Sequence, residues 1–188
     1  MEQFFQGKDQ VHKTLRRLVK NLDRAKLPYA VLGGMALNAH NYRRVTTDVD
    51  ILLTADGLAE FRRRLLGKQY DSTPGRERRF VDRHNGVTLG VLVTGRFPGS
   101  GKPGPVAFPD PNQVSETIEA IRYVNLATLV ELKLAARRWR DFADVVELIR
   151  CNAIDESFVE QLHPSVRPDY IECIEEKRRE DEYDARNG

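Results

Sequence analysis

The stretch VLGGMALNAHNYRRVTTDVDILLT, Val31 to Thr54, decides how the rest of the chain is read. It opens on a short apolar run that ends in two glycines, Gly33 and Gly34. A helix-like segment follows, then a second apolar run entered by two aspartates, Asp48 and Asp50. In a strand, residues i and i+2 face the same side about 7 Å apart, so the two carboxylates repel each other. Val49, Ile51 and Leu53 form the opposite, core side. A hard divalent cation resolves the repulsion: Mg²⁺, or Mn²⁺ in its place, takes carboxylate oxygens and completes its shell with phosphate oxygens and water. Glycines between a strand and a helix start let the backbone approach a phosphate closely. The stretch therefore predicts a metal-bridged triphosphate site, with Asp48 and Asp50 on the metal and Gly33 and Gly34 on the phosphates.

Outward from this stretch, the pattern is α/β first and helical afterwards. Val11, Leu15, Leu18 and Leu22 make an apolar stripe on a helix over about Lys8–Arg24. Its other side carries Lys13, Arg16, Arg17, Lys20 and Arg24, either a solvated face or a track for RNA phosphates or an acidic partner. GLAEFRRRLLGKQY reads as a helix. RRFVDRHNGVTLGVLVTG reads as a hairpin turning at Asn85-Gly86. A Gly/Pro-rich loop spans Phe97–Pro111, and a short strand covers about Ile118–Val124. Asn125 caps a helix to about Arg138. Others run from near Asp141 to Cys151 and over about Arg167–Glu180, ahead of a mixed-charge tail that frays. The expected organisation is an α/β core over residues 1–124 with a helical subdomain over 125–188 packed on it.

The 188 residues suit one domain, alone or with a small helical appendage, and 40% apolar content is enough for a core. No run reaches the length of a membrane span, and the N-terminus lacks a secretory apolar segment. Cys151 and Cys173 form no close ligand pair. Free thiols and a cytoplasmic location are expected. The net charge of +2 excludes a chain that binds nucleic acid over its whole surface. GSGKP is not a phosphate-binding loop, because Gly95 is misplaced and Pro103 replaces the hydroxyl residue. His12, His40, His84 and His163 have no metal-ligand spacing. Trp139 is expected to pack between the last helices.

The motif Leu32-Gly33-Gly34, thirteen residues, Asp48-Val49-Asp50 resembles the signature of the nucleotidyltransferase superfamily of DNA polymerase β, with the spacer at its long end. RVTTDVD, with Arg44 and Thr46 before the aspartates, resembles the minimal bacterial members, including abortive-infection nucleotidyltransferase toxins. LVELKLAARRWRDFADVVEL resembles the same group through Lys133, Arg137 or Arg138, Asp141 and Asp144. The resemblance covers about residues 10–150. It implies a small mixed sheet with flanking helices, catalytic and metal-binding roles for Asp48 and Asp50, and nucleotide contacts from Gly33, Gly34, Arg44 and Lys133. It further implies transfer of a nucleoside monophosphate from an NTP to an RNA or protein hydroxyl. Lys133 either reaches the triphosphate or extends from the core with its charge at the surface. Asp141 and Asp144 are read as helix-capping and as pairing with Arg137 or Arg140 rather than as metal ligands.

One departure bears on activity. The family's third carboxylate lies in an apolar run leading to a Pro-Gly loop, where this chain has VTLGVLVTGRFPG and places Gly90. Asp82 substitutes only if the preceding turn has three residues. The favoured two-residue turn pairs Asp82 with Leu89 and points it away. The competing reading is therefore a degenerate module that binds nucleotide, or nothing, and acts through a protein or RNA partner; a third is one half of a toxin–antitoxin pair.

Overall fold

Strand Asp48–Leu53 lies at the middle of a seven-stranded mixed sheet in the computed structural model, which describes residues 1–5 and 7–187. The described chain forms two compact units. One gathers residues 1–39, 43–95 and 108–124. The other gathers 40–42, 96–107 and 125 onward.

The first unit begins with α1 (Glu2–Phe5) and α2 (Gln10–Arg24), followed by β1 (Ala30–Leu32), α3 (Gly33–Ala39), β2 (Asp48–Leu53) and α4 (Ala55–Leu65). It continues through β3 (Tyr70–Thr73), β4 (Arg76–Asp82), β5 (Thr88–Val93), α5 (Pro111–Val114), β6 (Ser115–Ile118) and β7 (Ile121–Val124). The strand order is β3-β4-β5-β2-β1-β7-β6. β2 runs parallel to β5 and antiparallel to β1. Val49, Ile51 and Leu53 are fully buried, as their spacing requires. Asp9 starts α2 by accepting hydrogen bonds from the Val11 and His12 N–H groups. The helix buries Leu15, Leu18 and Leu22 at 2% exposure or less, each contributing about 1.5–3 kcal/mol of apolar burial.

The second unit is built on α6 (Leu126–Ala136), α7 (Trp139–Asn152) and α8 (Arg167–Asn187), with 3-10 turns at Glu156–Gln161 and Pro164–Val166. Asn125 caps α6 by accepting from the Thr128 N–H. Leu129, Val130, Leu134, Val145, Leu148, Ile149 and Tyr170 fill its core.

Several elements depart from expectation. α4 stops at Leu65, and Tyr70–Thr73 pairs with β4 instead of continuing the helix. Gly75, at φ 70°, permits the turn between them. The Asn85-Gly86 pair does not make a two-residue turn. Asp82 N–H donates to the Val87 carbonyl, and residues 83–86 form a longer loop. Asn85 is drawn to α2, where its Nδ2 donates to the Gln10 carbonyl and to Thr14 Oγ1. The Ile118–Val124 region is a hairpin, β6–β7, turned by Glu119 and Ala120 at positive φ. Neither residue carries the usual composition of such a turn. The charged tail is helical: α8 continues to Asn187, with i,i+4 pairs Lys177–Asp181 and Arg186–Glu182. Trp139 is not packed. It is 92% exposed at the first turn of α7, within the exposed run 137–140.

Candidate functional site

Asp48 and Asp50 project from one side of β2, half-buried, opposite the fully buried Val49 and Ile51. Each is tied to one glycine of the upstream pair. A Cβ on Gly33 would stand 2.5 Å from Asp50 Oδ2. Gly33 also adopts φ 62°, where a side chain is strained. A Cβ on Gly34 would stand 2.6 Å from the Thr46 Cβ, and Thr46 Oγ1 donates to Asp48 Oδ1 at 2.7 Å. The glycines therefore make room for Asp50 and for the threonine that orients Asp48.

Asn38 holds the long spacer in place. Its Nδ2 donates to the Gly34 carbonyl at 2.8 Å and to the Arg44 carbonyl at 2.6 Å, and its Oδ1 accepts from the Arg44 N–H at 3.1 Å. This residue returns Arg44, itself half-buried, to the glycine end of the spacer. Sequence reasoning passed over Asn38 because a lone asparagine in a short helix carries no periodic signal.

Strand register sets which residue stands beside Asp50. Asp50 pairs with Gly90 across β2–β5. A Cβ built on Gly90 would fall well inside contact distance of Asp50 Oδ1. The Asp50 carboxylate thus lies between two glycines, Gly33 and Gly90, and occupies space that a side chain at Gly90 would need. Asp82 does not reach this side of the sheet. The β4–β5 register pairs Arg79 with Gly90 and Phe80 with Leu89, so Asp82 shares the buried side with Phe80. There it accepts hydrogen bonds from Thr14 Oγ1 at 2.7 Å, from Arg17 at 2.5 Å and from the His84 N–H at 2.9 Å. Burial pushes its pKa up, but these hydrogen bonds outweigh burial and hold it below the usual carboxylate value.

Asp48 and Asp50 present hard oxygen donors, the set that suits Mg²⁺ or Mn²⁺. Among the described residues no group of three or more His, Cys, Asp or Glu side chains is placed to hold a metal ion. Of the metal-ligating side chains, these two carboxylates would be the ones to hold such a cation.

Lys133 lies within the helical unit. It is 9% exposed, and its ammonium donates to Asp144 at 2.6 Å and to Asp141 at 3.2 Å. Asp141 also accepts from Arg138 at 2.5 Å, and Arg137 pairs with Asp169. The aspartates thus pair with Lys133 and Arg138 rather than with Arg137 or Arg140. The Arg138 cap position of α7 receives no side-chain hydrogen bond.

Among solved structures, the chain is similar to ANT(2″)-Ia in complex with adenylyl-2″-tobramycin. The identity is 12%, over 85% of this chain and 96% of that one, with a TM-score of 0.53. This is the nucleotidyltransferase fold. The chain is also similar to a Thermotoga maritima protein predicted to be a nucleotidyltransferase, at 17% identity over 62% of this chain and 78% of that one, with a TM-score of 0.44. A Helicobacter pylori protein of the same description matches at 18% identity over 85% and 80%, with a TM-score of 0.46. No protein-family profile matches the chain, and no curated protein matches it by sequence. Among the described residues no helix is long and apolar enough to cross a membrane.

Proposed function

We propose that this chain binds a magnesium–nucleoside triphosphate at Asp48 and Asp50, and that it transfers the nucleoside monophosphate to an acceptor hydroxyl only slowly. The observation that carries this reading is the seating of Asp50 between Gly33 and Gly90. Asp48 and Asp50 hold the cation. Gly33 and Gly34 admit the phosphates to the backbone, and Arg44 adds positive charge from the spacer. Bound Mg²⁺ neutralises phosphate charge and orients the triphosphate. In the transfer, the hydroxyl oxygen of an RNA or protein acceptor bonds to the α-phosphorus. The bond to the α–β bridging oxygen breaks, and pyrophosphate leaves. With glycine at position 90 the hydroxyl proton goes to water, and general-base help worth about 10²–10⁴-fold is lost. Lys133 is assigned to the ion network of the helical unit, since Asp141 and Asp144 already engage its ammonium.

The same glycine favours a second reading, in which nucleotide occupancy itself is the output, read by a protein partner such as the other half of a toxin–antitoxin pair. The test is incubation with each α-labelled NTP, Mg²⁺, and RNA or protein acceptors, using wild type and Asp48→Asn. Wild type is expected to retain NTP and to transfer label far below the ~10 s⁻¹ typical of enzymes. Turnover near that rate overturns slow transfer, and absence of NTP binding overturns the site. NTP binding with no transfer to any acceptor selects the second reading.

A further inference from the structure

The strand register places a cation on the side of the sheet that carries the aspartates. Asp50 pairs with Gly90 across parallel β2–β5, and Gly90 pairs with Arg79 across antiparallel β5–β4. Directly paired residues share one face of a sheet, so Asp50, Gly90 and Arg79 form a row across three strands. Burial agrees. Phe80 and Asp82, at 1% exposure each, take the opposite side, while Arg79 is exposed. Among the described residues no ion pair or hydrogen bond engages the Arg79 guanidinium. The arginines of nearby α4 differ in this respect. Arg63 and Arg64 pair with Glu60, and Arg62 donates to the Glu77 carbonyl.

We infer that Arg79 forms an anion subsite on the aspartate side of the sheet, across Gly90 from Asp50, and binds a phosphate group there. The inference rests on reading Asp48 and Asp50 as the nucleotide site. Strands lie about 4.8 Å apart, so the Arg79 and Asp50 backbones are separated by roughly 10 Å, with Gly90 midway, carrying no side chain of its own and covered by the Asp50 carboxylate. A phosphate on a cation held by Asp50 would sit on the outer side of that carboxylate, on the face Arg79 shares and within reach of an extended arginine. A carboxylate at position 90 would repel the phosphate and call for another cation. Glycine there, with Arg79 beyond it, reverses the sign of the local charge. A guanidinium also matches phosphate geometry with two parallel hydrogen bonds, which an ammonium does not. The phosphate belongs either to the triphosphate or to an RNA acceptor, and the two sources are separable.

The experiment uses the full chain as wild type, Arg79→Ala, Arg79→Lys, Arg78→Ala and Asp50→Asn. Mg²⁺–NTP binding is followed by calorimetry, and binding of an end-labelled single-stranded RNA by fluorescence anisotropy. Arg79→Ala is expected to weaken one of the two ligands by about tenfold or more, the scale of a lost hydrogen bond to a charged group. Arg79→Lys falls between it and wild type. Arg78→Ala, the neighbouring arginine outside the β4–β5 register, matches wild type. Melting temperatures stay unchanged in all the arginine variants. A loss confined to NTP assigns the subsite to the triphosphate, and a loss confined to RNA assigns it to the acceptor. If Asp50→Asn abolishes NTP binding while Arg79→Ala leaves both ligands at wild-type affinity, the subsite is refuted and the nucleotide site stands. If wild type binds no NTP, both fall.

Discussion

Replacing Lys133 with alanine separates a phosphate ligand from a structural cation. The Lys133 side chain is 10% exposed, and those of Asp141 and Asp144 are 2% and 5% exposed. Removing one member of a buried ion pair typically costs about 3–5 kcal/mol, because the remaining charge keeps its desolvation penalty. Asp141 retains Arg138 at 2.5 Å, and Asp144 loses only its 2.6 Å contact with the ammonium. That places the cost near the lower end, about 3 kcal/mol. For a chain of this length each kcal/mol moves the melting temperature by about 2–4 °C, so Lys133→Ala lowers it by roughly 6–12 °C. The assay is thermal unfolding by circular dichroism, paired with Mg²⁺–NTP calorimetry below the transition. Affinity should hold within about twofold, since less than ~0.4 kcal/mol is in play when the ammonium does not touch nucleotide. The double variant Lys133→Met/Asp144→Leu should recover most of the stability, as apolar replacement of buried ion pairs commonly does. A melting temperature within about 2 °C of wild type, with affinity down tenfold or more, would refute the reasoning and return Lys133 to the triphosphate.

Three further outcomes follow from the same structure. Gly90→Ala forces Asp50 to turn. An off-rotamer cost of about 0.5–1.5 kcal/mol translates into a roughly 2- to 13-fold loss of Mg²⁺–NTP affinity by calorimetry, while a Gly-to-Ala gain of about 0.4–1 kcal/mol keeps stability near wild type. Asp82 has a lowered folded-state pKa, so the stability it contributes is present above its ordinary value of 3.8 and is lost as pH falls through the folded value; melting curves below pH 4 should show a steeper decline for wild type than for Asp82→Asn. Trp139→Ser, at a 92% exposed position, should change stability by no more than about 0.5 kcal/mol in urea titrations.

Where the sequence was legible, a local rule coincided with burial. The alternation Val49, Ile51, Leu53 against Asp48 and Asp50 was readable because the side-chain period of a strand is two and one face is buried. The α2 stripe and the Asn125 cap were readable for similar reasons. Pairing Gly33 and Gly34 with the aspartates needed only the spacing. The mechanism of that pairing did not show, because contact of Gly33 with Asp50 and of Gly34 with Thr46 arises from β1–β2 register. The β6–β7 turn was hidden because Glu119 and Ala120 do not advertise positive φ. The Asn85-Gly86 signal misled because Asn85 spends its side chain on α2 rather than on a tight turn. Arg79 was invisible for a plainer reason. It lies in an arginine-rich run, Arg76 to Arg79, and only the four-residue loop after Asp82 sets which of these faces Gly90.

Mg²⁺-dependent NTP titration of wild type against Asp50→Asn bears most directly on the proposed binding of a metal–nucleotide complex by Asp48 and Asp50. Saturable, Mg²⁺-dependent binding is expected for wild type, with a loss of at least tenfold for a folded Asp50→Asn protein, the scale of a charge-assisted contact. Equal affinity of the two proteins, or NTP binding that is indifferent to Mg²⁺, would contradict it.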